Sequence, residues 1–472
     1  MIRRRLLAGL LAAVATLAAL PQAALAHGIV GRADLPIPQW LFGWAATVVL
    51  VVSFVGLAVL WPRPRLEQTA ERRIASVPKL LDPLCGAIGV ALFAIFVYAG
   101  FAGAQDAATN VGPTFVFVIF WVGLVMVSAL FGDVFAAFNP WRAIARAAAA
   151  IAAKLGRGAL PEPMPYPPAL GRWPAAAGIV CFVWIEVVYP DRGDPSKLAV
   201  LALGYAAVQL VGMSLYGIAP WTRYGDAFSA YYGMFARISP LRWERGALYA
   251  RAPLSGLTSL DAVPGTVALL CAMIGTTSFD GFSAGPAWGE IAPRMTDSLR
   301  NIGFSQSTSL EIAFTIGLIV VVSLVAGLFQ LGVRGMRSAS HVDLTAEQLA
   351  ARFAHSLAPI ALAYVVAHYF SLLFVNGQAF GYLVSDPLGS GANVFGTAKV
   401  TVDYGWIPAT TIWYVQVAAL VIGHVAGLIL AHDRALVTFA DGRAATRSQY
   451  WMLAVMIAFT SLGLWLLSAA NS

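Results

Sequence analysis

Windows of about 20 apolar residues, each long enough to cross the hydrocarbon core of a bilayer, recur ten times along this chain. They lie near 40–61, 82–103, 111–132, 173–190, 197–220, 262–283, 309–333, 354–375, 408–431 and 450–469. With 59% hydrophobic and 11% charged residues in 472, the chain is too apolar for a water-soluble globule. The expected fold class is all-α, a polytopic transmembrane helix bundle of about ten spans. It forms a single membrane domain, 27–472, behind an N-terminal signal peptide, 1–26. That peptide is read from Met1-Ile-Arg-Arg-Arg5, the apolar run Leu6–Leu20 and the small-residue end Pro21–Ala26. Cleavage after Ala26 makes His27 the new terminus, either a copper-binding amine and imidazole or simply the residue after the cut. Cys85, Cys181 and Cys271 fall inside apolar spans, are read as small buried hydrophobes, and are expected to form no disulfide.

Charge then sets the threading, because cytoplasmic loops collect Lys and Arg. With the mature N-terminus outside, the inner loops 62–81, 133–172, 221–261, 334–353 and 432–449 hold 21 basic residues, against 6 in the outer segments. Both mature termini are therefore expected outside. The net charge of +7 reports topology and membrane lipid as partner, and nucleic acid is not expected.

Within the inner loops, Val134 to Gly156 reads as one basic amphipathic helix on the membrane surface, and Pro161–Pro168 as a stiff extended connector. A short echo links Gly132-Asp133-Val-Phe135-Ala-Ala137-Phe138 with Gly225-Asp226-Ala-Phe228-Ser-Ala230-Tyr231. Either the chain carries a parallel repeat of the kind transporters use, or each Asp caps a short interfacial helix.

Span eight carries the most unusual polar content. Thr345 and Gln348 have capping-box spacing, which starts the helix on the inner surface. Pro359 has no N–H for the carbonyl of His355, so a kink is expected there. Tyr364 and His368 lie one turn apart on one face, whereas His355 is about 20 Å from His368 along the axis and turned away. Span nine runs back, bringing Gln416 to the depth of His368 and His432 to that of His355. Two polar layers follow. The outer one draws on Glu186, on Asp280, where Gly281 and the hydroxyls of Thr276–Ser278 are expected to break the helix, and on Asn376 and Gln378. Polar groups at this depth are expensive and mark function by default. The candidate catalytic residues are His368, Asp280, Glu186 and Tyr364. The candidate ligands for a divalent transition metal are His368, Asp280, His424 and His355. In the structural alternative each polar group bonds a neighbouring helix and fixes packing. The chain has no His-Glu-x-x-His, phosphate-binding Gly-rich loop ending in Gly-Lys-Ser/Thr or Cys-x-x-Cys. Met452 and Met456 read as packing rather than as a soft copper pair.

Several segments resemble a family of bacterial polytopic membrane proteins labelled fenitrothion hydrolase: His27–Phe42, Gly132–Trp141, Thr276–Gly281 and His355–Gln378. The resemblance implies a membrane-bound, two-component activity that cleaves the P–O–aryl bond of an organophosphorus triester and releases a nitrophenol. It also implies a bacterial inner-membrane location and a second membrane subunit as partner. The resemblance carries no catalytic residues across; in the enzyme reading of the outer layer itself His368 and Asp280 serve as ligands or base, Glu186 as a second acid/base or ligand, and Tyr364 as a donor to the phosphoryl oxygen of a small apolar substrate. The other reading is a transporter or permease component for a metal ion or small solute. There the outer layer and the inner histidines His355, His424 and His432 form two stations on a path.

Overall fold

Where no water reaches the backbone, each segment must satisfy its own N–H and C=O groups, and every apolar window is accordingly occupied by a helix. The computed structural model describes residues 39–67, 69–155, 162–244, 246–340, 343–439 and 442–469. The signal-peptide segment, His27 and most of the 27–42 stretch lie outside them. The window helices are α1 (Gln39–Leu60), α2 (Leu81–Ala102), α3 (Val111–Phe131), α5 (Trp173–Val187), α6 (Pro195–Tyr216), α8 (Thr266–Ser283), α10 (Gln306–Ser340), α11 (Ala346–Phe374), α12 (Ala409–Thr438) and α13 (Gly442–Ala469). Between them run α4 (Pro140–Lys154), α7 (Ala227–Ala236) and α9 (Pro286–Asn301). Among the described residues seven helices, α2, α3, α6, α8, α10, α11 and α12, are long and apolar enough to cross a membrane.

The central helix is α8. Its apolar window is 72% buried, against 28–33% for α2, α3, α6 and α10. It packs on α5, α10 and α11. The polar run expected to break it does not: Thr276, Thr277 and Ser278 turn their hydroxyls back onto the carbonyls of Ala272, Met273 and Ile274, and the helix continues through Gly281 to Ser283. The interruption lies in α11 instead. A tight turn at Ala354–Ser356 separates Ala346–Phe353 from Leu357–Phe374. Pro359 sits in the first turn of the second segment, where its missing N–H costs little. The capping box of Thr345 and Gln348 is present.

α11 and α12 approach through glycine. A Cβ on Gly423 would meet Ala363 Cβ at 2.3 Å and Pro359 O at 2.8 Å, and one on Gly427 would meet Ser356 O at 2.8 Å. Small residues four apart allow such backbone contact in membranes. Gly423→Leu should destabilise this pair by about 2–3 kcal/mol through overpacking, read as a lower unfolding temperature in detergent. Ile422→Ala, on the exposed side of the same turn, is the control that should leave it unchanged.

The loops rich in arginine gather at one end of the bundle. There β1 (Arg72–Ser76), β2 (Leu241–Glu244) and β3 (Ala247–Ala250) form a three-stranded antiparallel sheet in the order β1-β3-β2, an addition to the all-α expectation. It ties the loop after α1 to the loop after α7. The end of α12 holds the former segment as well. Asp433 accepts from Trp61 Nε1 at 2.9 Å and from the backbone N–H of Arg65, Leu66 and Glu67 at 2.6–3.0 Å, while Arg434 pairs with Glu67.

At the same end both aspartates of the echo are helix caps. Asp133 accepts from Ala136 N and starts the short helix Val134–Phe138; Asp226 accepts from Phe228 N and Ser229 N and starts α7. The single helix expected over Val134–Gly156 is instead two, because Asn139 caps a new start at Pro140; Gly156 is outside the described residues. Asp226 is fully buried and does more than cap. It also accepts from Asn139 Nδ2 (2.9 Å), Trp141 Nε1 (2.9 Å), Tyr205 Oη (2.7 Å) and Ser229 Oγ (2.7 Å). Cys85 and Cys271 are buried, whereas Cys181 is exposed on the outside of α5, contrary to the expectation for it. Met452 and Met456 are buried in the core.

Candidate functional site

Asp280, in the last turns of α8, points its carboxylate at α11. Its Oδ2 lies 2.9 Å from His368 Nε2 and accepts the Tyr369 hydroxyl at 2.7 Å. Asp280 is 3% exposed, and the His368 side chain is 12% exposed, so the imidazole is the more accessible member of the pair. Gly281 permits this approach: a Cβ there would stand 3.3 Å from His368 Nδ1. The carboxylate fixes the ring's orientation and stabilises an imidazolium if the ring takes a proton.

Glu186, buried in α5, belongs to the same neighbourhood, close to both Tyr369 and Tyr231. Tyr231 in α7 stacks on Trp121 with ring centroids 4.5 Å apart and planes 13° off parallel. Trp121 is presented by a π-helical stretch, Phe115–Gly123, within α3. Such wider turns re-aim side chains and recur at functional sites. Tyr232 holds this stretch by donating to the Phe120 carbonyl at 2.6 Å. Three helices named by the sequence thus meet with two that it did not name.

Tyr364 does not join them. Its hydroxyl donates to the Phe459 carbonyl of α13 at 3.0 Å, so the phenol beside Asp280 is that of Tyr369. Sequence reasoning chose Tyr364 because i and i+4 share a face, but the polar face of α11 is split between α8 and α13. Adjacency of Tyr369 to His368 was the available signal, and it does not say which neighbour each side chain meets.

The remaining candidate histidines are separate. His424 Nδ1 donates to the Leu420 carbonyl at 2.7 Å, and its ring lies 6.1 Å from that of Tyr364. His432 Nε2 donates to the Trp61 carbonyl at 3.0 Å, which leaves Nδ1 to accept from Gln449 at 3.2 Å. His355 is buried within the turn in α11, near the Leu430 carbonyl. Among the described residues no three His, Cys, Asp or Glu side chains are placed to hold one metal ion. His368, Asp280, His424 and His355 therefore do not form a common ligand set, and the donor set does not fit a divalent transition metal. At the C-terminal end of α11, Gln378 bonds the backbone N–H and carbonyl of Asp403 and anchors the following loop. Gln416 is buried in α12. Comparison of the chain with family models, with curated proteins and with solved structures returned no match.

Proposed function

We propose that this chain is a ten-span protein of the bacterial inner membrane, with both mature ends outside, whose Asp280–His368–Tyr369 cluster activates water against an apolar organophosphorus triester. The threading is supported by the gathering of the arginine loops at one end, which the positive-inside rule assigns to the cytoplasm. The observation that carries the chemistry is the buried carboxylate–imidazole pair at 2.9 Å. Asp280 orients His368, and the imidazole takes a proton from water as its oxygen forms a bond to phosphorus. The P–O–aryl bond breaks, and its electron pair leaves with the nitrophenolate. Tyr369 holds the carboxylate, and Glu186 is the second acid/base.

The test is nitrophenol release from an aryl phosphotriester by membranes containing the full chain, with and without membranes of a host that supplies a second subunit. His368→Ala should lower the rate about 10²–10⁴-fold with insertion intact. A wild-type rate in that variant sinks the assignment.

The turn in α11 at Ala354–Ser356, which contains His355, favours a second reading, since broken helices line transport paths. A transporter of a metal ion or small solute needs the inner histidines and the outer cluster together. Solute accumulation lost in His355→Ala and His424→Ala, with nitrophenol release absent from the wild type, would select it.

A further inference from the structure

The basic end of the bundle encloses a cleft of about 860 Å³ between the loop after α3, α7 and the small sheet. Among the described residues lining it are seven arginines and only three carboxylates, Glu71, Asp133 and Glu244. These acids are already engaged. Glu71 and Glu244 pair with Arg242, and Asp133 caps the helix that follows it. At the rim, Asp82 pairs with Arg142 and Arg146, and Asp261 with Arg223.

Among the described residues the deeper cations are paired less completely. Arg172 is 3% exposed and bonds the Asp261 carbonyl and Thr266 Oγ1, while its Nε has no partner among the described residues. Arg237 bonds the carbonyl of Gly256 at 3.1 Å and weakly that of Ser259. Arg251 bonds the carbonyls of Ser239 and Ala236 and meets Glu71 only at 3.8 Å. Burial, and after it the charge of Arg237, push the Arg172 guanidinium down to about 10; burial lowers Arg237 and Arg251 as well. Buried positive charge in excess of its carboxylates is costly unless an anion completes it.

We propose that this cleft binds a phosphate-bearing anion through Arg172, Arg237 and Arg251. Planar guanidinium forks arriving from different elements match the several oxygens of a phosphate better than they match a single carboxylate. The phosphate has two sources, the headgroup of an anionic phospholipid in the adjoining leaflet or a soluble phosphate. Basic pockets at helix ends suit the former, and the apolar walls at Ile218, Leu241 and Trp243 would face its glycerol and chains.

Gly233 allows a test that spares the arginines and the backbone bonds they make. It lines the cleft, and a Cβ there would meet nothing within 4 Å. Gly233→Asp places a fixed anion among the guanidiniums, and Gly233→Asn is its neutral match. Full-length protein in phosphatidylcholine nanodiscs would be titrated with inorganic phosphate and with phenyl phosphate by calorimetry. In parallel, retention of phosphatidylglycerol and cardiolipin over phosphatidylcholine would be read by native mass spectrometry. Binding in either arm should weaken about tenfold or more in Gly233→Asp and less than about threefold in Gly233→Asn. Weakening in the lipid arm alone assigns the headgroup, and weakening in the calorimetric arm alone assigns a soluble phosphate. No binding in either arm, or equal binding by the two variants, overturns the proposal. Thermal unfolding of both variants separates lost binding from lost fold.

Discussion

Asp226→Ala should leave little folded protein, with a loss of stability on the order of 5 kcal/mol, comparable to the whole stability of many domains. Asp226 is 0% exposed, and four side-chain donors, on Asn139, Trp141, Tyr205 and Ser229, end on its two oxygens. Removing the carboxylate leaves Trp141 Nε1 buried without its acceptor, takes one bond each from Asn139, Tyr205 and Ser229, and uncaps the first N–H groups of α7. Asn139 also caps α4, so the loss reaches the contact between α4 and α7. Asp226→Asn keeps the shape and one acceptor, so about half of the loss is expected. Yield of monodisperse protein and unfolding temperature in detergent check the ordering wild type, Asn, Ala. Equal stability of Ala and wild type would mean that the donors find other partners.

For activity, Asp280→Asn should be nearly as damaging as loss of the imidazole itself, about 10²–10⁴-fold. One oxygen, Oδ2, meets both His368 and Tyr369. An amide in its place either turns its NH₂ toward both groups or keeps a neutral, weaker acceptor, and in each case the imidazolium loses its counter-charge. Tyr369→Phe removes one bond but leaves the carboxylate, and should cost about tenfold or less. Rates of nitrophenol release per inserted protein distinguish the two. If Asp280→Asn and Tyr369→Phe are equally mild, Asp280 only fixes the packing of α8 against α11.

Much of the frame was legible in residue types. The caps at Asp133, Asp226 and Thr345 follow from hydrogen bonds spanning a few positions, so local spacing predicted them. Local reasoning failed where two local options competed. The hydroxyls of Thr276–Ser278 and Gly281 suggested a broken helix, yet those hydroxyls are satisfied within α8 and the glycine serves the approach of His368. Cys181 is apolar enough for either side of a membrane helix, and it faces outward because α5 turns Glu186 inward.

The sequence alone determined that this chain is helical and membrane-like, and where its helices lie, because hydropathy sums over contiguous residues. It also marked Asp280, His368 and Glu186 as out of place among apolar neighbours. Only the tertiary structure decided that Asp280 meets His368 and Tyr369 while Tyr364 turns to Phe459, and that residues 72–76 pair with 247–250. It alone gathered arginines from distant loops around one cleft. Each of these depends on how helices rotate and which of them are neighbours, and those are properties of packing between segments far apart in the chain.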